Sequence, residues 1–203
     1  MERAEKLNQK GLGSKVLELQ GFERIKKSIR GSDPDAAVHY LARLIEADAD
    51  VLTIGRRLMV IASEDIGMAY PQAISIVTSC IQASQMVGFP EARIMLSEAV
   101  ILLASSPKSN SGINAIDSAL SDLKTRKIDD VPLHLKDSHY GGAKKLGRGL
   151  DYKYPHAYGG WVKQQYLPDN LYKEGVKYYE PTDHGQEAAF KNYLDNLGKG
   201  KKK

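Results

Sequence analysis

Signals that stop one helix and start the next recur through the first two-thirds of this chain, and they constrain its fold more than any other feature. The clearest is Gly31-Ser32-Asp33-Pro34. Glycine is the usual residue past a helix end, aspartate is a good N-cap, and proline suits the first helical position. The spacing predicts a helix from Ser14 to about Arg30, with Val16, Leu19, Phe22, Ile25 and Ile29 on one face and Gly31 as its stop. A second helix follows Asp33 and Pro34 with Val38, Leu41, Leu44 and Ile45. Asp50 caps a third, carrying Leu52, Ile54, Leu58, Ile61 and Ala62. Pro71 opens a fourth, with Ile74, Val77, Cys80 and Ile81, ending near Gly88. Pro90 opens a fifth, with Ile94, Met95, Ala99, Leu102 and Leu103, ending before Pro107. Ile113, Ile116, Leu120 and Leu123 mark a sixth. Loops of a few residues join these segments, which predicts an all-α antiparallel helical bundle. Several segments are apolar on more than one face, as expected of helices that are buried or lie at subunit contacts.

The pattern changes after about Arg126. From Val131 to Glu180 the chain holds glycines, prolines and most of the tyrosines, with no sustained helical period. A disordered linker would carry fewer aromatics. The expectation is an irregular, ordered Tyr/Gly-rich extension packed on the helices, followed by a short helix from Gln186 to Leu197 and a basic tail. Three parts result: residues 1–30, a helical core over 31–126, and the extension over 127–203.

Composition narrows the function classes. A chain of 203 residues with 42% apolar and 27% charged content builds a core without metals or disulfides. The single cysteine, Cys80, lies in an apolar stretch and reads as a small buried hydrophobe in a reducing compartment. The N-terminus shows no apolar signal region and no run approaches the length of a membrane helix, so a cytoplasmic protein without a membrane partner is expected. The formal charge of +4 is carried by Lys199 and Lys201 to Lys203, which leaves the rest neutral.

Chemistry-bearing patterns are few. Gly142 to Gly149 has the spacing of a phosphate-binding loop, but Arg148 and Gly149 stand where lysine and a hydroxyl are required, and no strand precedes it. His39, His134, His139, His156 and His184 form no metal-ligand spacing. Glu64-Asp65 is a carboxylate pair, read as capping a helix end or binding backbone amides and arginines such as Arg56 and Arg57, because adjacent residues on a helix do not face each other. No catalytic, cofactor-binding or metal-ligating residue is assigned. In the extension, Lys144, Lys145, Arg148, Lys153, Lys163, Lys173 and Lys177 interleave with Tyr152, Tyr154, Tyr158, Trp161, Tyr166 and Tyr172. Basic residues with aromatics are what single-stranded nucleic acid needs, and Lys144, Lys145, Arg148, Lys153 and Lys163 are the DNA-binding candidates. The competing expectation is that the rings anchor the extension to the helices while the lysines stay solvated.

Four stretches together resemble one family: Ser28-Ile29-Arg30-Gly31-Ser32-Asp33-Pro34-Asp35-Ala36-Ala37; Ala62-Ser63-Glu64-Asp65-Ile66-Gly67; Pro107-Lys108-Ser109-Asn110; and Tyr152-Lys153-Tyr154-Pro155-His156 through Gly159-Gly160-Trp161 to Gln164-Gln165-Tyr166-Leu167-Pro168. In this order they resemble the C-terminal half of the replication-associated recombination protein A family, also called MgsA, with the Werner helicase-interacting protein as a eukaryotic relative. The turn at Ala157-Tyr158-Gly159 lacks a proline that relatives tend to carry. The resemblance implies a helical oligomerisation domain of post-AAA+ type, with residues 1–30 as the tail end of a lid or linker plus the first helix. It implies a homotetramer, and for the full-length protein a DNA-dependent, clamp-loader-like ATPase acting at stalled forks and recombination intermediates. ATP and Mg²⁺ would belong to the ATPase core, none to this chain. DNA and single-strand binding protein would be partners of the full-length protein, in the nucleoid-associated cytoplasm. The family-motif residues Arg30, Gly31, Asp33, Pro34, Glu64, Asp65, Pro107, Lys108, Asn110, Tyr154, Pro155, His156, Gly160, Trp161 and Gln165 are expected to serve structure, with Trp161 buried against the helices and Gln164 and Gln165 satisfying local backbone groups.

Overall fold

A computed structural model describes residues 20–136 and 151–197. The described residues are helical or irregular and include no strand. Helix α1 covers residues 20–30; Ser14, Val16 and Leu19 lie outside the described residues. It is followed by α2 (Pro34–Glu46), α3 (Val51–Ile61), α4 (Ala73–Val87), α5 (Ala92–Ser105), α6 (Ser111–Thr125), α7 (Asp169–Lys173) and α8 (Glu187–Asn196). The final helix stands within one residue of each expected bound.

The chain falls into two compact units, residues 1–113 with 182–188, and residues 114–181 with 189–203. In the first, α5 packs on α2 and α4, and α3 packs on α4. Ile25, Ile29, Leu41, Ile54, Leu58, Val77, Leu96, Val100 and Leu103 are fully buried between them, and Cys80 is buried beside them. Burial pushes the Cys80 thiol up, as expected of a packing residue.

The caps follow the sequence closely. Asp33 Oδ1 accepts from Ala36 N at 2.9 Å, and Asp50 Oδ1 accepts from Thr53 N at 2.9 Å while its Oδ2 accepts from Thr53 Oγ1 at 2.6 Å. One stop differs. The left-handed residue that ends α1 is Ser32, with φ 55°, and not Gly31. Ser32 N donates to Ile29 O and Asp33 N to Ser28 O, both at 3.0 Å, which is the Schellman pattern with its left-handed position one residue later than glycine alone suggests. Asp33 thereby closes α1 and caps α2 at once. Asp48, with φ 59°, closes α2 in the same manner.

After Ile61 the helix does not end but widens. Residues Ala62–Ile66 form a π turn and Gly67–Ala69 a 3₁₀ turn. Such widened turns place side chains that an α-helix keeps apart.

In the second unit, the described residues of 127–181 carry only short turns and α7, as an irregular extension would. Arg126 pairs with Asp122 and Glu174, and Tyr178 Oη donates to Asp122 Oδ2 at 2.9 Å. Asn170 bridges to the 127–129 backbone and to Asp129, which holds the extension to the end of α6.

Candidate functional site

Three of the four family stretches meet in the first unit. The π turn turns Glu64 and Asp65 toward the end of α1. Arg30 Nε pairs with Asp65 Oδ1, and Arg30 Nη2 lies 2.5 Å from Glu64 Oε1. The expected arginine partners, Arg56 and Arg57, are not the ones used. The helix rule against adjacent side chains converging does not hold here, because the turn that carries them is not α-helical.

Lys108 completes the junction. Its Nζ donates to Ser32 Oγ at 3.0 Å, to Ala104 O at 3.1 Å and to Ser106 O. It therefore ties the end of α5 to the left-handed corner between α1 and α2. Ser109 N donates to Asp65 O at 2.9 Å, so the 107–110 strap lies on the π turn. Gly67 makes that approach possible: φ is 48°, and a Cβ there would stand 2.7 Å from Ser109 O.

The electrostatics centre on one buried carboxylate, Asp65, met by the partly exposed Arg30 and Glu64 side chains. Asp65 is 7% exposed, and its Oδ2 is buried with no hydrogen-bond partner among the described residues. Burial pushes the Asp65 carboxyl up, outweighing the opposing pull of Arg30. The hydrogen bond to Asp65 holds the Arg30 guanidinium higher still, and burial lowers the Lys108 ammonium.

A second buried relay adjoins the strap. Glu187, fully buried at the start of α8, accepts from Ser111 Oγ and from Thr182 Oγ1, the latter at 2.6 Å. Ser109 Oγ bonds to Ser111 Oγ at 3.0 Å. His184 Nδ1–H donates to Lys108 O at 2.8 Å, and Gln186 N to Ala69 O at 2.8 Å. Sequence reasoning missed Ser111, Thr182, His184 and Glu187. A glutamate in the first turn of a helix signals a favourable dipole contact, not burial.

The fourth stretch forms its own surface in the second unit. Gly159 and Gly160 take φ 76° and 100°, the path expected of the glycine pair. Gln164 clamps Lys153 on both sides, accepting from its N at 3.1 Å and donating to its O at 2.8 Å. Gln165 donates to Leu167 O at 2.9 Å and to Asp169 Oδ1 at 2.7 Å, and His134 Nε2–H donates to Gln165 O at 2.8 Å. Both glutamines thus do what was expected of them. Trp161 does not: it is 39% exposed rather than buried. Tyr152, Tyr154, Tyr158 and Tyr166 are exposed as well, so they do not anchor the extension by burial. The segment is held by polar staples, which leaves its rings exposed. Of the DNA-binding candidates, Lys153 and Lys163 are exposed on this surface. Lys144, Lys145 and Arg148, together with the loop-like Gly142 to Gly149, lie outside the described residues.

The all-helical core whose corners are locked by Arg30, Asp65 and Lys108, and the glycine-bent aromatic strap that follows it in the chain, belong to the C-terminal region of a class of AAA+ ATPases. The model of the MgsA AAA+ ATPase C-terminal family matches residues 31–198, and the chain belongs to that family. The replication-associated recombination protein A of Bacillus subtilis (strain 168) is 61% identical over 178 residues, which cover 87% of this chain and 42% of the relative. The protein of that name from Escherichia coli K12 is 37% identical over 168 residues, covering 81% of this chain and 37% of the relative. ATPase WRNIP1 of Dictyostelium discoideum is 34% identical over 160 residues, covering 78% of this chain and 18% of the relative. The chain thus spans less than half the length of these curated relatives. Among the described residues, no helix is long and apolar enough to cross a membrane.

Proposed function

We propose that this chain is the self-associating C-terminal module, tetrameric when assembled, of a clamp-loader-like AAA+ ATPase that works in DNA replication, repair and recombination at stalled forks. The names of the relatives support the setting. ATP and Mg²⁺ chemistry, and association with single-strand binding protein, are functions of the full-length protein in this reading.

The observation that carries self-association is helix α6. It runs for 15 residues, yet Ser111 is its only buried residue. Ile116, Leu120 and Leu123 are exposed at helical spacing. A helix of this length gains most of its stability from packing an apolar face, and this face is exposed among the described residues. Exposed Ile94 and Ile101 on α5 add a second such face, seven residues apart on one side of the helix.

The test is the solution mass by light scattering on a sizing column across a dilution series. A stable mass near four chains is expected. A monomer at all concentrations overturns the reading.

A further inference from the structure

The strap over residues 152–168 has a property that self-association does not explain. It is ordered without being buried: none of its residues is in the core. Its order comes from the Gln164 clamp on Lys153, the Gln165 bonds, the turn bonds Ala157 N to Tyr154 O and Gly160 N to Pro155 O, and Gln164 Nε2 donating to Tyr166 Oη at 2.7 Å. These contacts fix the backbone and leave Tyr152, Tyr154, Tyr158, Trp161 and Tyr166 exposed.

The charge pattern is equally one-sided. From Tyr152 to Pro168 there is no aspartate or glutamate, while Lys153 and Lys163 stand exposed in its two halves. The large exposed apolar side chains of this segment are all rings, with no aliphatic among them. Planar rings with cations between them match an unpaired nucleic-acid strand, whose bases stack on rings of any sequence and whose phosphates seek lysines. Protein interfaces also favour tyrosine and tryptophan but are depleted in lysine, so the exposed Lys153 and Lys163, with no acid among them, favour a polyanionic strand.

We infer that the 152–168 strap is a sequence-tolerant binding site for single-stranded DNA, with Tyr154, Tyr158 and Trp161 as stacking platforms and Lys153 and Lys163 as phosphate contacts. The site stands apart from the assembly reading, since it uses none of the α5 or α6 residues on which that reading rests.

Trp161 is the only tryptophan of the chain, so its fluorescence reports the site directly. The experiment titrates an oligothymidylate of about 15 nucleotides into the whole chain, within the range of known single-strand site sizes. Saturable quenching at low salt, weakening as salt rises, is expected. Tyr154→Leu with Tyr158→Leu weakens binding about tenfold or more. Lys153→Gln with Lys163→Gln flattens the plot of log affinity against log salt by about 1.4. Both pairs are exposed, so circular dichroism and solution mass stay at wild-type values. Absent quenching at low salt overturns the inference, as does quenching that neither pair of substitutions alters. A Trp161 emission that follows protein concentration and ignores DNA also overturns it, and assigns the strap to a second copy of the chain.

Discussion

At Asp65, burial opposes the charge that Arg30 favours, and burial prevails. The folded chain therefore holds this proton more tightly than the unfolded chain does. A carboxyl raised in this way gives its stabilisation at acid pH and loses it as pH rises from the ordinary aspartate range through the folded value. The penalty for Asp65→Asn, read by urea unfolding at a series of pH values, should thus be largest in acid and shrink toward neutrality. A penalty that grows with pH would show that the Arg30 pair outweighs burial. Little of this was legible in the sequence. Asp33 and Asp50 announced themselves as caps because capping is local, settled within three residues. The pairing of Arg30 with Asp65 spans 35 positions and depends on a π turn, for which Ala62-Ser63-Glu64-Asp65-Ile66 carries no distinctive composition.

The helices of the first unit were legible as elements because each is punctuated by a cap, a proline or a glycine. Their lateral contacts were not, since periodicity shows which face is apolar and not what covers it. Helix α6 illustrates this: Ile116, Leu120 and Leu123 look like core positions and are exposed. If that face joins two copies, Leu120→Glu with Leu123→Glu will bring the light-scattering mass down toward one chain. An unchanged mass would move the contact elsewhere, with Ile94 and Ile101 on α5 next to be tested. The strap was misjudged for a related reason. Aromatic content predicts order, but order can also come from paired glutamines and glycine turns, and then the rings remain outside.

Across the whole molecule, burial is uneven. The α1–α5 core holds the fully buried apolar side chains, whereas 152–168 is tied by a few exposed hydrogen bonds. Amides deep in a core exchange only through large openings, and those in solvent-facing turns exchange through small ones. Hydrogen exchange followed by mass spectrometry should therefore show α2 to α5 protected as a block and residues 152–168 exchanging far faster. Protection in α6 should rise with protein concentration if that helix is covered by another copy. Equal protection of core and strap would contradict this division.

The chain leaves the first unit after Ile113 and re-enters it at Thr182, and the bond from Ser111 to Glu187 fastens the two points of passage together. Everything between is a closed excursion whose ends are set by the core. Doubling the length of such a loop costs only about 0.6 kcal/mol in closure entropy. A change in the length of the excursion therefore costs the helices it departs from little in closure entropy.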